Sequence, residues 1–227
     1  MKRTFFNSKG KDKQYIVIGC GRFGSSVAKK MCQLGNEVMV IDKDEDSINN
    51  IAELVTHTAI VDVTEERDLK SIGLGNFDVV IVAISSDIRA SIMATVMAKE
   101  MGVPKVVCKA KDELQAKVLY KIGADKVVFP ERDMGIRLAY NLASENILDQ
   151  INLDPEYSIM EIVTPTNWVG KTIIELNLRA KYDITVLAVK TTSGLKVMPS
   201  PNYKMQEKNI LIIIGNTDKI SDIILEN

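Results

Sequence analysis

Apolar and polar positions along the first 130 residues follow two alternating rhythms. Runs of consecutive apolar residues, "QYIVIG", "EVMVID", "HTAIV", "FDVVIVAI", "KVVCKA" and "DKVVFP", read as six strands. Between them lie stretches with apolar residues at helical spacing: "RFGSSVAKKMCQLG", "KDEDSINNIAEL", "TEERDLKSIG", "SSDIRASIMATVMAKEMG" and "KDELQAKVLYKIG". Unbroken Val/Ile strands fit a parallel sheet buried on both faces. Strand–helix repeats with short turns give a right-handed, doubly wound fold. The expectation for residues 14–130 is therefore an α/β domain with a parallel Rossmann sheet.

The pattern then changes. "ERDMGIRLAYNLASENILDQI" carries Met134, Leu138, Ala139, Leu142, Ile147, Leu148 and Ile151 as a wide apolar stripe, which predicts one helix over 131–152. That stripe packs either on its own domain or across to a second copy of the chain, as a crossover and dimerisation helix. From about Tyr157 the order becomes strand, short helix, strand, turn, strand, helix. "TSG" signals a hairpin, and the prolines of "KVMPSPNY" mark an edge or loop. Residues 153–227 thus read as a small α+β C-terminal domain. Its size is marginal for standing alone, so pairing with another copy is expected. Residues 1–13 read as a basic, flexible tail.

Composition narrows the class. The chain has 227 residues, 46% hydrophobic and 26% charged, with a formal net charge of −1. No basic stripe is present, which argues against nucleic acid as partner. The apolar runs are far shorter than the ~20 residues of a membrane span. Cys20, Cys32 and Cys108 lack metal-ligand spacing. Their odd number, without a signal sequence, suggests reduced thiols in the cytoplasm. Cys20, inside a glycine turn, is expected to be the one exposed enough to react.

The chemistry concentrates in "VIGCGRFGSS", a Gly19-x-Gly21-x-x-Gly24 turn that follows a strand and opens a helix. Gly19 permits the tight turn, Gly21 lets amides approach a phosphate, and Gly24 lets the helix pack on the strand. The helix start then offers unpaired N–H groups to an anion. Asp42, near the end of the next strand, is placed for ribose hydroxyls and disfavours a 2′-phosphate. Further strand ends supply Asp62 for an adenine amino group or as a solvated acid. They also supply Ala83 and Ile84 as an apolar floor, and Lys109 for phosphates or a neighbouring carboxylate. Phe23, Lys43, Asp44, Val63 and Ser85 flank these positions and complete the expected rim.

The sequence offers little for turnover. His57, the sole histidine, starts a strand and sits at the wrong end of a parallel sheet for catalysis. No nucleophile–base pair or Tyr-x-x-x-Lys pattern is evident, so no enzyme is expected. Arg22 then gains a purpose. A charge-assisted contact to a third phosphate is worth roughly 1.5–3 kcal/mol, or about 10–150-fold in affinity. That suffices to separate triphosphate from diphosphate, as a sensor requires. An NAD-dependent oxidoreductase remains the rival reading.

"VIGCGRFGSSVAKKM", "VIDKDED", "VVIVAI", "KIGADKVVFPERDMGIRLA" and "LNLRAKYDITVLAVK", in this order, resemble the cytoplasmic regulatory (RCK, or KTN) subunits of Ktr-type potassium uptake systems. The resemblance covers essentially all of the chain after residue 13. It implies homodimers assembled into an octameric ring beneath a membrane-embedded potassium-translocating subunit. It also implies ATP as activating ligand and ADP as inactivating ligand, with NAD(H) possible. The phosphate-reading arginine of the family falls on Arg22, the ribose acid on Asp42 and the adenine-side group on Asp62. Its cation-binding glutamate falls on Glu131, where Mg²⁺ or Ca²⁺ would offset triphosphate charge. The resemblance further implies cyclic di-AMP as an inhibitory ligand of the C-terminal domain. Ile173, Ile174 and Arg179 carry over most clearly, with Leu176, Thr185 and Val186 beside them. Asp183 stands where related sequences often have Gly, and Thr185 where they often have Asn. The remaining alternative is an RCK gating domain of another potassium channel or transporter.

Overall fold

The computed structural model describes residues 13–143, 146–154 and 156–225. Residues 1–12 of the expected tail lie outside the described residues. The chain divides after Arg132 into two units.

The first unit runs β1 (Gln14–Ile18), α1 (Arg22–Gln33), β2 (Glu37–Asp42), α2 (Glu45–Asn49), β3 (His57–Ile60) and α3 (Glu66–Ser71). It continues with β4 (Val79–Val82), α4 (Ile88–Glu100), β5 (Lys105–Lys109), α5 (Glu113–Lys121), β6 (Lys126–Val128) and the start of α6 (Pro130–Ala143). The six strands are parallel in the order β3-β2-β1-β4-β5-β6. This is the doubly wound order, and its reversal between β1 and β4 opens a crevice at the strands' carboxyl ends. Successive residues of a strand face opposite sides. Ile16 and Ile18 enter one apolar cluster with Val80, Val82, Ala94 and Leu119. Val17 enters another with Ala28, Val40 and Ile81. Both faces are covered, which is why the strands carry no polar alternation.

The second unit contains β7 (Ile147–Asn152), β8 (Tyr157–Val163), α7 (Ile173–Leu176), α8 (Leu178–Tyr182), β9 (Ile184–Thr191), β10 (Gly194–Val197), β11 (Ile210–Asn216) and α9 (Thr217–Leu225). Its antiparallel sheet has the order β10-β9-β11-β8-β7. Met160, Ile162, Ile184, Val189, Leu211 and Ile213 form its core with Leu176, Leu178, Ile220 and Ile223. β9 and β10 form the hairpin expected at "TSG".

The helix expected over 131–152 stops at Ala143, and Ile147–Asn152 is a strand. The strand carries a β-bulge. Ile147 pairs with Ile162, but Asp149 pairs with Glu161, so Leu148 is an extra residue. The buried positions are Ile147 and the polar Gln150, while Leu148, the bulge residue, and Ile151 are exposed. Ile147, Leu148 and Ile151 fall at helical spacing in sequence, yet they do not share one buried face.

Candidate functional site

The crevice at the β1–β4 switch is a cavity of about 340 Å³. It is lined by Gly19, Gly21, Asp42, Lys43, Asp62, Val63, Ala83, Ile84, Ser85 and Lys109 from the expected set. Ile41, Val61, Thr64, Ser86, Asp87 and Ala90 also line it.

Gly19 has φ +101°, and a Cβ there would stand 2.9 Å from Ile84 Cγ1. Gly24 is tighter still, because an added Cβ would lie 1.9 Å from the Gly19 carbonyl oxygen. Gly21 differs, since nothing lies within 4 Å of where its Cβ would be. Its open side leaves room for a ligand to meet the backbone. Gly21 caps α1 without a side-chain hydrogen bond, and the first turn of α1 has no acidic residue. The amides at this helix start therefore meet no side-chain carboxylate, and the helix dipole favours an anion there.

Asp42 fixes the turn. Its Oδ2 accepts from the Cys20 N–H at 2.6 Å, and its Oδ1 from the Asp44 N–H at 3.0 Å. Each oxygen keeps a second acceptor site for a hydroxyl. Asp62 Oδ1 accepts from the Thr64 N–H at 2.9 Å and its hydroxyl at 2.8 Å. Those bonds, the backbone one first, hold the Asp62 carboxyl below its ordinary range. Asp87 caps α4 by accepting from the Ala90 N–H at 3.0 Å. An aspartate just before a helical run is the sequence signal for that cap. Thr64 carries a local signal too, because an aspartate side chain readily accepts from the backbone two residues on.

Five expected residues stand beside the cleft rather than lining it. Arg22 is exposed at the first position of α1, with Phe23 next to it. Gly24 is buried beneath the turn, and Asp44 caps α2 by accepting from the Ser47 N–H at 2.9 Å. Glu131, in the first turn of α6, accepts from Lys109 Nζ at 2.6 Å. The Lys109 bond holds the Glu131 carboxyl below its ordinary range. His57 borders a different hollow with Gln14, Tyr15 and Glu37, at the opposite ends of the strands.

Cys20 is only 8% exposed, contrary to expectation. Its thiol lies 3.4 Å from the Ser47 carbonyl oxygen. Burial first, and the Asp42 charge second, raise its pKa and so lower its reactivity. Cys108 is buried deeper, and burial pushes its thiol up to about 11.

A second groove, of about 310 Å³, lies in the second unit. Ile173, Ile174, Arg179, Thr185 and Val186 line it, with Asn177, Leu178, Pro199 and Pro201. Leu176 is instead buried in the core. Arg179 Nε donates to Thr185 Oγ1 at 3.1 Å. Asp183 has φ +59°, a conformation glycine adopts most easily. Its carboxylate pairs with Lys219 at 2.9 Å, so its charge is locally balanced.

Fold and cleft define a Rossmann module joined to a small α+β module. A TrkA-N domain model matches residues 15–130, and a TrkA-C domain model matches residues 158–225. Ktr system potassium uptake protein C of Bacillus subtilis (strain 168) is 45% identical over 209 residues, covering 92% of this chain and 95% of that protein. The chain belongs to this family of RCK/KTN regulatory subunits of Ktr potassium uptake systems. A solved structure described as the GsuK channel bound to NAD superposes with a TM-score of 0.66 at 16% identity. It covers 95% of this chain, which spans 39% of that channel chain. A structure of GsuK bound to ADP covers 59% of this chain and 35% of its own, with a TM-score of 0.51 at 14% identity. Both likenesses concern the fold. Among the described residues no helix is long and apolar enough to cross a membrane.

Proposed function

We propose that this chain is the nucleotide-responsive gating subunit of a potassium uptake system, with ATP favouring the active state and ADP the inactive one. The observation that carries the reading is the cleft itself. Open amides at Gly21 and α1 stand at one end, and an anchored acceptor, Asp42, stands beside them. That pairing suits a phosphate and a ribose at once. Asp62 serves the base, and Arg22 reads the third phosphate. The ligand regulates and is not turned over.

Glu131 is the cation residue of this reading. Among the described residues no three metal-ligating side chains cluster. A lone carboxylate fits a Mg²⁺ or Ca²⁺ that takes its other ligands from triphosphate oxygens and water. The groove of the second unit takes cyclic di-AMP, with Arg179 on phosphate and Ile173, Ile174 and Val186 on the bases. Copies pair through α6 and the second unit, build an octameric ring, and meet a membrane-embedded translocating subunit at the cytoplasmic face.

Calorimetry of ATP, ADP, NADH and cyclic di-AMP, with and without Mg²⁺, tests this. Tight ATP and ADP binding, with a Mg²⁺ effect for ATP alone, is expected. Cyclic di-AMP should bind as a separate, non-competing event. Tight binding of NADH alone would return the chain to the oxidoreductase reading.

A further inference from the structure

Lys109 belongs to two places at once. It ends β5 and lines the cleft, yet its ammonium is bonded to Glu131 in the first turn of α6. Its side chain is 13% exposed, while that of Glu131 is 70% exposed. The same ammonium lies 5.9 Å from the centre of the Phe23 ring, in the first turn of α1. It therefore sits near the amides where an anion would be held. The next residue, Arg132, stacks 3.7 Å over the Phe129 ring and pairs with Glu113 of α5. The first turn of α6 is thus pinned to β5 through Lys109 and to α5 through Arg132.

We propose that Lys109 is a relay, exchanging Glu131 for a phosphate of a nucleotide bound without a divalent cation, so that filling the cleft in this way frees the first turn of α6 from β5. The inference rests on the nucleotide reading above. A phosphate beside Lys109 attracts the ammonium and repels the carboxylate. A flexible four-carbon stem lets the ammonium follow the phosphate. Glu131 is exposed, so water can solvate it once released, and an exposed ion pair is weak to begin with. α6 carries the chain from the first unit into the second, so its first turn is where occupancy becomes a change in backbone freedom.

The test uses the full chain and ADP in EDTA, which keeps divalent cations out. Calorimetry gives affinity, and hydrogen exchange follows residues 129–137. In the wild type ADP should speed exchange of this segment at least about 3-fold. Glu131→Gln should exchange fast without ADP and bind ADP about 3–10-fold tighter, because Lys109 is no longer claimed. Lys109→Met should also exchange fast, but bind about 10-fold weaker. Lys109→Arg, which keeps the charge, should restore most of the affinity. Wild-type ADP binding with unchanged exchange, or unaltered affinity in Glu131→Gln, would overturn the relay and leave the nucleotide reading standing. Absence of nucleotide binding to the wild type would overturn both.

Discussion

Gly24 leaves no room for a side chain, whereas Gly21 faces open space, and the two should answer mutation differently. Gly24→Ala drives a methyl into the Gly19 carbonyl and should cost about 3 kcal/mol. A lower urea midpoint at unchanged slope would show it. Arg22→Ala should leave stability unchanged, since Arg22 is exposed at a helix start. It should weaken ATP about 10-fold or more and ADP less than about 2-fold by calorimetry. Equal losses would end the third-phosphate role. The glycine turn and Asp42 were legible because their spacing is dictated by backbone sterics and by strand length. The Lys109–Glu131 pair was only half legible. Sequence placed Lys109 at a strand end facing phosphates or a carboxylate, but which of the two depends on where α6 begins in space.

Elements repeat the lesson. Strands of the first unit read cleanly because burial on both faces leaves no polar alternation to confuse. β7 did not, because its exposed Leu148 and Ile151 fall at helical spacing with Ile147. Helix starts carry a sequence signal where a short acceptor precedes an apolar run. Asp112 caps α5, accepting from the Gln115 N–H at 2.8 Å. Asp112→Ala should cost about 1 kcal/mol of stability in a denaturant melt, with nucleotide affinity unaltered.

At the scale of the molecule, acid should be its weak condition. Asp125 accepts from the Val106 N–H at 2.6 Å and pairs with Lys99 at 3.1 Å. The Val106 bond, chiefly, lowers its pKa, as the Arg137 bond lowers that of Asp149. A carboxylate depressed by folding contributes stability that is full above its unfolded value, about 3.9, and lost as pH falls through the folded one. Thermal melts should therefore drop below about pH 4, and Asp125→Asn should flatten part of that drop. α6 leaves Met134, Leu138 and Leu142 more than half exposed. If that face meets a second copy, the double variant Leu138→Glu, Leu142→Glu should lower the mass seen by light scattering. Unchanged mass would place the assembly contact elsewhere.

Among the described residues no strand of one sheet pairs with the other, and each sheet seals a core of its own. A gene cut near the codon for Arg132 therefore severs no β ladder, only the first turn of α6. Such a seam is where recombination can swap one half while the other keeps its fold. Lineages built on this plan are free to change one half and leave the core of the other untouched.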